Sequence, residues 1–192
     1  MKIDDSLRTV LLNRRTIRKF TGRKLSYEKI NSLIWAACGH THMHKKIKMR
    51  TAPSAGACYP VELYFVIENT EKTDDAIYYY DFVSEGMTEH KAGNFLLEIK
   101  RAALDQEFIP KANLVAIMVY NPDKIVPDYG HEARKYAILE CGHIGQNILL
   151  MATSLGLGAV PVGAFYEKEL ETILEIARNK EVIYMVCVGA IE

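Results

Sequence analysis

The sequence predicts one α+β domain over residues 1–192, with a central, mainly antiparallel sheet of four or five strands flanked by helices. Segments with alternating or continuous apolar character predict strands, and they are interspersed with segments whose apolar residues lie three and four apart, which predict helices. The composition, 49% hydrophobic and 25% charged, suits a single domain with a sizeable core. No repeat, low-complexity stretch or linker divides the chain.

Five helices are predicted from apolar stripes. The first stripe is Ile3, Leu7, Val10 and Leu11, with a cap within residues 4–6. The second is Ile30, Leu33, Ile34 and Ala37, which starts after Ser26 and ends at Gly39. Three further helical patterns cover residues 95–104, 131–155 and 168–177.

The strands are predicted between these helices. Val61–Ile67 alternates and is expected to pair with residues 76–82 as a hairpin. Leu114–Tyr120 is continuously apolar, as expected of a strand covered on both faces. Residues 159–162 form a short strand or a turn, and residues 182–188 form a final buried strand. Residues 39–56 are predicted to be a loop.

The charge balance excludes several classes of partner. Lys and Arg number 24 and Asp and Glu number 24, so no overall basic field would attract nucleic acid or anionic lipid, and any anion site must be local. No stretch reaches the roughly 18 apolar residues of a membrane span. The start of the chain lacks the apolar segment of a secretory signal.

The cysteines indicate a cytoplasmic protein. Cys38, Cys58, Cys141 and Cys187 are widely spaced and form no CxxC pair, which argues against a disulfide framework or a zinc knuckle. The segment "CGHTHMH" has metal-binding residue types, but alternating histidines on one short segment rarely close a tetrahedral site, so no metal is predicted. A histidine of this segment could instead touch substrate.

Three short segments could build one site. "NRRTIRKF" clusters cations with a hydroxyl and can hold a phosphate, although a solvated basic turn has the same composition. "TAPSAGACYP" consists mainly of small residues and could lie against a flat ligand, although a tight structural loop would have the same composition. "LGLGAVPVGAF" can turn a peptide edge towards a ligand, but it is not a dinucleotide fingerprint, and a helix end with a turn is the alternative.

Together these segments resemble the FMN-dependent nitroreductase superfamily, most closely its branch of SagB-type oxidases of peptide azolines. The matches are "RRTIRKF", "RTAPSAGACYP" and "YGHEARKYAILECGHIGQNILLMATSLGLGAVPVGAF", which keep the family's order over most of the chain. The resemblance implies a nitroreductase-like homodimer with FMN at the subunit interface and a small-molecule electron acceptor.

The resemblance also implies the cofactor residues. The phosphate and ribityl chain would be held by Arg14, Thr16 and Arg18, with a contribution from Arg15. The flavin ring would be lined by Pro53, Ser54, Ala55 and Gly56, and its other side would be met by Pro161, Val162, Gly163 and Ala164. Asn147 matches a position close to the cofactor. Gly56→Val is expected to block the ring site and leave the fold intact.

Two departures from the family pattern bear on these expectations. The chain ends "VCVGAIE" without the basic residues that many members add, so Arg50 or Arg134 is expected to assist the phosphate. Azoline oxidases have a Lys–Tyr pair where Asp128–Tyr129 stands here, with Lys135–Tyr136 a little later, and this weakens the azoline hypothesis.

The expected function is NADH- or NADPH-dependent reduction of nitroaromatic or quinone-like acceptors, with hydride transfer through flavin N5. Two alternatives stay open: a SagB-type flavin dehydrogenase of a peptide-derived azoline, and a non-catalytic flavin-binding protein. Solvent can supply protons, so no catalytic residue is assigned. Glu140 and His143 lie three apart on a predicted helix and could shuttle a proton, but the sequence favours a satisfied interior pair.

Overall fold

The structure, a computed structural model, describes residues 5–192. Two residues assigned to the first helix and its cap, Ile3 and Asp4, lie outside this range. The helices are α1 (Asp5–Asn13), α2 (Tyr27–Cys38), α3 (Leu96–Ala102), α4 (Val126–Tyr129), α5 (Ala133–Ser154) and α6 (Glu167–Ile173). The strands are β1 (His40–His44), β2 (Ile47–Arg50), β3 (Val61–Ile67), β4 (Ala76–Asp81), β5 (Gly86–Ala92), β6 (Leu114–Tyr120), β7 (Gly158–Val162) and β8 (Glu181–Gly189).

The main sheet contains six strands in the order β5-β4-β3-β6-β8-β7, and every neighbouring pair is antiparallel. Four or five strands were expected. The additional strand, β5, lies at the sheet edge and has the polar sequence GMTEHKA, so it shows no apolar face. Residues 158–162 form a true strand because β7 pairs with β8 from Gly158 to Val162.

The sheet is covered by helices on both faces. On β3, Leu63 and Phe65 point into one core with α2 and α5, whereas Tyr64 and Val66 point into a second core with α3 and α6. The neighbouring β6 is buried at every position, as its continuous apolar run predicts. The long helix α5 therefore packs on one face of the sheet and carries its polar side away from it.

The prediction of a loop over residues 39–56 is wrong for residues 40–50. Residues 40–50 form a two-stranded hairpin, β1–β2, separate from the main sheet. Its turn places Lys45 and Lys46 at φ 45° and 70°, a left-handed conformation that Asn-Gly or Asp-Gly usually marks. Two lysines give no such signal, so the hairpin could not be recognised from its turn.

Candidate functional site

The arginine segment (residues 14–20) is docked on the edge strand β7 and the end of β8. The Ile17 amide donates to the Ala159 carbonyl at 3.0 Å, and the Thr21 amide donates to the Ala190 carbonyl at 2.9 Å. Phe20 packs so closely against Gly189 that a Cβ there would lie 2.7 Å from the Phe20 ring. A glycine is therefore needed for close approach, and the segment is held beside β7.

The cations of this segment have different surroundings. Arg15 donates to the carbonyls of Leu12 at 2.7 Å and Arg14 at 2.9 Å, so it caps the end of α1. The side chains of Arg14 and Arg18 make no hydrogen bond or ion pair to residues 5–192, and Arg18 and Thr16 are exposed. Arg14 and Arg18 are thus available to an anion, and Arg15 is already engaged.

Neither of the two assisting arginines is free. Arg134 forms a two-pronged ion pair with Glu181, at 2.9 and 2.6 Å. The Arg50 guanidinium lies between the rings of Tyr59 and Phe82, 3.9 and 3.3 Å from their centroids, and burial lowers its pKa. Both arginines have structural partners, so an anion at the arginine segment would depend on Arg14 and Arg18.

The end of β7 presents backbone to open space. Val162 pairs with Met185, and Gly163 and Ala164 that follow are exposed. A Cβ at Gly163 would meet no atom within 4 Å, so the packing of this chain does not require a glycine there. The Ala164 carbonyl accepts from Gln106 at 3.2 Å, which holds the turn in place. Pro161 is half-buried within the strand.

The small-residue loop (residues 51–58) connects β2 to β3 through a short turn at Ala55–Ala57. The Ser54 hydroxyl oxygen accepts from the Tyr59 amide at 2.9 Å. Gly56 has φ +56°, and a Cβ there would lie 2.7 Å from the Tyr129 hydroxyl. The expectation that Gly56→Val leaves the fold intact is therefore wrong, because valine would meet both a left-handed backbone and Tyr129.

A cleft of about 200 Å³ separates this loop from α5. The loop contributes Pro53, Ser54 and Ala55, and α5 contributes Tyr136, Leu139, Glu140 and His143. The helix α4 lies beside the same loop, where Asp128 accepts from the Cys58 thiol at 3.4 Å. Tyr129 of α4 meets Tyr136 edge to face, with their centroids 4.9 Å apart.

Glu140 is the buried acid of this cleft. Its side chain is 3% exposed, and its Oε2 atom has no hydrogen-bond partner. Burial raises the pKa of Glu140 to about 7, although the Ser54 hydroxyl, the Val61 amide and the charges of Arg50 and Lys124 oppose the rise. His143 is exposed, so the prediction that Glu140 and His143 form a satisfied interior pair is wrong.

The position of Glu140 could have been found in the sequence. Ala137, Cys141 and Ile144 form the buried stripe of α5, and Glu140 lies three residues after Ala137 and four before Ile144. A carboxylate on an apolar stripe is a signal for an unusual acid.

A second groove, of about 540 Å³, lies between α1, α2 and α5 and contains Asn147. Trp35 lies in its wall with 53% of its surface exposed. Large apolar side chains remain exposed on the same three helices: Leu7, Leu11, Leu12, Ile138 and Leu139. Exposed apolar side chains concentrated on a few neighbouring helices are typical of a protein interface.

The expected site residues thus form two half-sites. The first joins the arginine segment to the end of β7, and the second joins the small-residue loop to α4 and α5. Among residues 5–192, no hydrogen bond or ion pair connects the two half-sites, and neither of the two clefts described above is lined by both. One chain therefore does not bring all the predicted residues together.

The half-sites fit the parts of FMN. Two unpaired arginines beside an exposed threonine suit a phosphate, and the open space at Gly163 suits the edge of a ring. No three His, Cys, Asp or Glu side chains within residues 5–192 are grouped as metal ligands. None of the helices in that range has the length and apolar character needed to cross a bilayer.

Comparison with known proteins agrees with this geometry. The sequence pattern of the Nitroreductase family matches residues 11–190 of this chain. A Methanocaldococcus jannaschii protein, whose name assigns it provisionally to the nitroreductases, is 36% identical over 170 residues, which cover 88% of this chain and 84% of that protein.

Two solved structures share the fold at low identity. The Escherichia coli microcin synthetase McbBCD complex, with truncated pro-MccB17 bound, contains a chain with a TM-score of 0.77 and 21% identity, over 100% of this chain and 74% of that one. The NADPH:FMN oxidoreductase of Vibrio harveyi, complexed with NAD+, has a TM-score of 0.70 and 21% identity, over 96% and 68%. These structures show the fold, and the family match and the M. jannaschii relative lead to one conclusion: the chain belongs to the nitroreductase family and is an FMN-dependent oxidoreductase.

Proposed function

We propose that the protein is a homodimer that uses NADH or NADPH to reduce small electron-poor acceptors, such as nitroaromatics or quinones. Family members are typically dimers with FMN. The observation that carries the proposal is the separation of the two half-sites on one chain, since a second copy can supply the missing half. The Vibrio harveyi protein, named as an NADPH:FMN oxidoreductase, supports a nicotinamide donor.

Each half-site has a defined task in this proposal. Arg14 and Arg18 hold the phosphate by charge-assisted hydrogen bonds, and Thr16 adds a hydroxyl. The exposed backbone at Gly163 and Ala164 faces one side of the ring, and Pro53–Gly56 of the second copy covers the other. Bound FMN supplies hydride transfer, and the protein supplies placement and exclusion of water.

A SagB-type dehydrogenase of a peptide-derived azoline is the second candidate, and the fold shared with the microcin synthetase complex favours it. Asp128 counts against it, since this residue stands where a lysine is expected and is engaged by the Cys58 thiol. Membership of a family of enzymes argues against the non-catalytic alternative. A cytoplasmic location remains part of the proposal, because the four cysteines are unpaired.

Steady-state assays separate the two candidates. The FMN-loaded protein is mixed with NADH or NADPH and either menadione or a nitroaromatic, and nucleotide oxidation is followed. We expect oxidation that depends on the acceptor. Absence of oxidation with every acceptor, together with flavin bleaching by an azoline peptide, would replace the proposal with the second candidate.

A further inference from the structure

The cleft beside the small-residue loop holds a buried acid that the proposed function does not use. Glu140 is 3% exposed, and no cation forms an ion pair with it among residues 5–192. Lys124 is engaged by Glu62 at 3.1 Å, and Arg50 is held between two aromatic rings. A carboxyl group without a paired cation in such a place favours its neutral, protonated form.

Ser54 is half-buried and lines the same cleft as the buried Glu140. The Ser54 oxygen accepts from the Tyr59 amide at 2.9 Å, and its hydroxyl lies close enough to the Glu140 carboxyl group to oppose the rise in the pKa of Glu140. A serine oxygen has two lone pairs and one hydrogen. When Glu140 is protonated, it can donate to the second lone pair, and the Ser54 hydrogen is then free to point into the cleft.

We propose that Glu140 is a proton store for the acceptor and that Ser54 passes its proton into the cleft. The inference rests on the proposed function, because the acceptor must bind against the small-residue loop. In this proposal Ser54 contacts the acceptor. Glu140 does not contact it, but orients Ser54 and replaces the proton that Ser54 donates.

The step balances for a quinone-like acceptor. The acceptor takes two electrons and one proton as a hydride from the reduced cofactor, and it needs one further proton to become the hydroquinone. The Ser54 O–H bond breaks as that proton leaves, and the Glu140 O–H bond breaks as its proton moves to the Ser54 oxygen. Glu140 is left as a carboxylate, and solvent returns the proton.

The charged and titratable groups that face Glu140 influence whether its carboxyl group is protonated. Arg50 of β2 and Lys124 after β6 are positive and favour the carboxylate. Cys58 of the small-residue loop and Cys141 of α5 are thiols whose own pKa values are raised, so they stay neutral. His143 and Tyr136 line the same cleft and are the route to solvent on the α5 side.

The first test needs no cofactor. Infrared spectra of the flavin-free protein are recorded from pH 5 to pH 9, and the carbonyl band of protonated carboxylic acids is followed. We expect a band that titrates near neutral pH in the wild type and is missing in Glu140→Gln. The control Glu132→Gln removes a half-exposed carboxylate at the start of α5, whose pKa is lowered by its pairing with Lys135, and should leave the band unchanged. A wild type with no such band overturns the proposal.

The second test isolates the step that consumes the proton. The loaded protein is reduced with dithionite, and its reoxidation by menadione is measured over the same pH range. In the wild type the rate should fall above neutral pH. Glu140→Gln and Ser54→Ala should be slower at pH 6 by about 100-fold and nearly independent of pH. Ser54→Thr keeps the hydroxyl and should retain the wild-type profile.

The outcomes of these tests can be distinguished from each other and from a failure of the proposed function. A pH profile that Glu140→Gln leaves unchanged overturns the relay, even if the infrared band titrates. Since dithionite replaces the nucleotide, failure of NADH and NADPH to reduce the flavin would contradict the proposed function without affecting either test of the relay.

Discussion

Single arginines in one short segment have different surroundings, and the sequence does not distinguish them. Arg15 caps α1 through two backbone carbonyls, whereas Arg14 and Arg18 are unpaired among the described residues. Their spacing left a phosphate site and a solvated basic turn open, and the family resemblance implied the phosphate site. The difference arises from where α1 ends, because only an arginine just after the last turn can reach the free carbonyls.

Arg18→Ala should weaken FMN binding by at least 10-fold. A hydrogen bond to a charged group contributes about 1.5–3 kcal/mol, and Arg18 has no other partner to lose within residues 5–192. The dissociation constant is measured by fluorescence titration. Arg101→Ala, which removes an exposed arginine of α3, is the control and should bind FMN normally. Unchanged affinity in Arg18→Ala contradicts the phosphate assignment.

Glu140 should also make stability depend on pH. Its pKa is about 7 in the folded protein and about 4.5 when unfolded, so the folded state holds a proton that the unfolded state has released between these values. Its contribution to the free energy of unfolding is complete below pH 4.5 and is lost as pH rises through 7. The loss is about 3 kcal/mol.

Urea denaturation of wild type and Glu140→Gln at several pH values measures this effect. The wild type should lose stability relative to Glu140→Gln between pH 5 and pH 8. A constant difference over that window would show that Glu140 has an ordinary pKa.

At the scale of elements, the predicted site residues lie mainly at the ends of strands and in loops. The glycines illustrate this point, since Gly56 is required by backbone conformation and Tyr129, whereas Gly163 faces open space. Both appeared equivalent as small residues in the sequence. Only the neighbouring elements show that a side chain at Gly56 disturbs this chain and one at Gly163 does not.

Gly163→Val is therefore the better probe of the ring site. Its Cβ meets nothing within 4 Å, so the melting temperature of the flavin-free protein should stay unchanged while FMN binding is lost. Gly56→Val should lower the melting temperature as well, because of its left-handed backbone and the contact with Tyr129. Thermal unfolding and FMN titration of both variants check this pair. Normal FMN occupancy in Gly163→Val would remove β7 from the site.

The elements themselves were largely predictable. The stripe of α5 and the apolar run of β6 were recognised because their patterns depend on burial against one sheet. The edge strand β5 and the β1–β2 hairpin were missed, because polar strands at an edge or on the surface need no apolar face. Whether such a polar segment forms a strand depends on its pairing partner and on the conformation of the turn.

At the scale of the whole molecule, the two half-sites and the exposed apolar surface support the same assembly. Leu7, Leu11, Trp35 and Leu139 are exposed on α1, α2 and α5, and Leu7 and Trp35 line the same groove as Asn147. The proposed homodimer would bury this surface against a second copy and bring the two half-sites together. The division of the predicted cofactor residues between two copies was implied only by the family resemblance, because spacing along a chain does not show which residues meet within it.

Trp35→Glu should shift the protein from dimer to monomer and weaken FMN binding with it. A charge at the centre of an apolar interface is left without a partner, and the site then lacks its second half. Leu97→Glu places the same charge at an exposed leucine of α3, on the other side of the sheet, and should change neither property. Light scattering and FMN titration are the measurements. A Trp35→Glu dimer with normal FMN affinity contradicts the assembly.

The most direct measurement is the visible spectrum of the FMN-loaded protein before and after anaerobic addition of NADH and NADPH. The account predicts flavin bands that bleach with at least one nucleotide and return when menadione is added. Bands that persist with both nucleotides but bleach with dithionite would contradict a nicotinamide-dependent reductase.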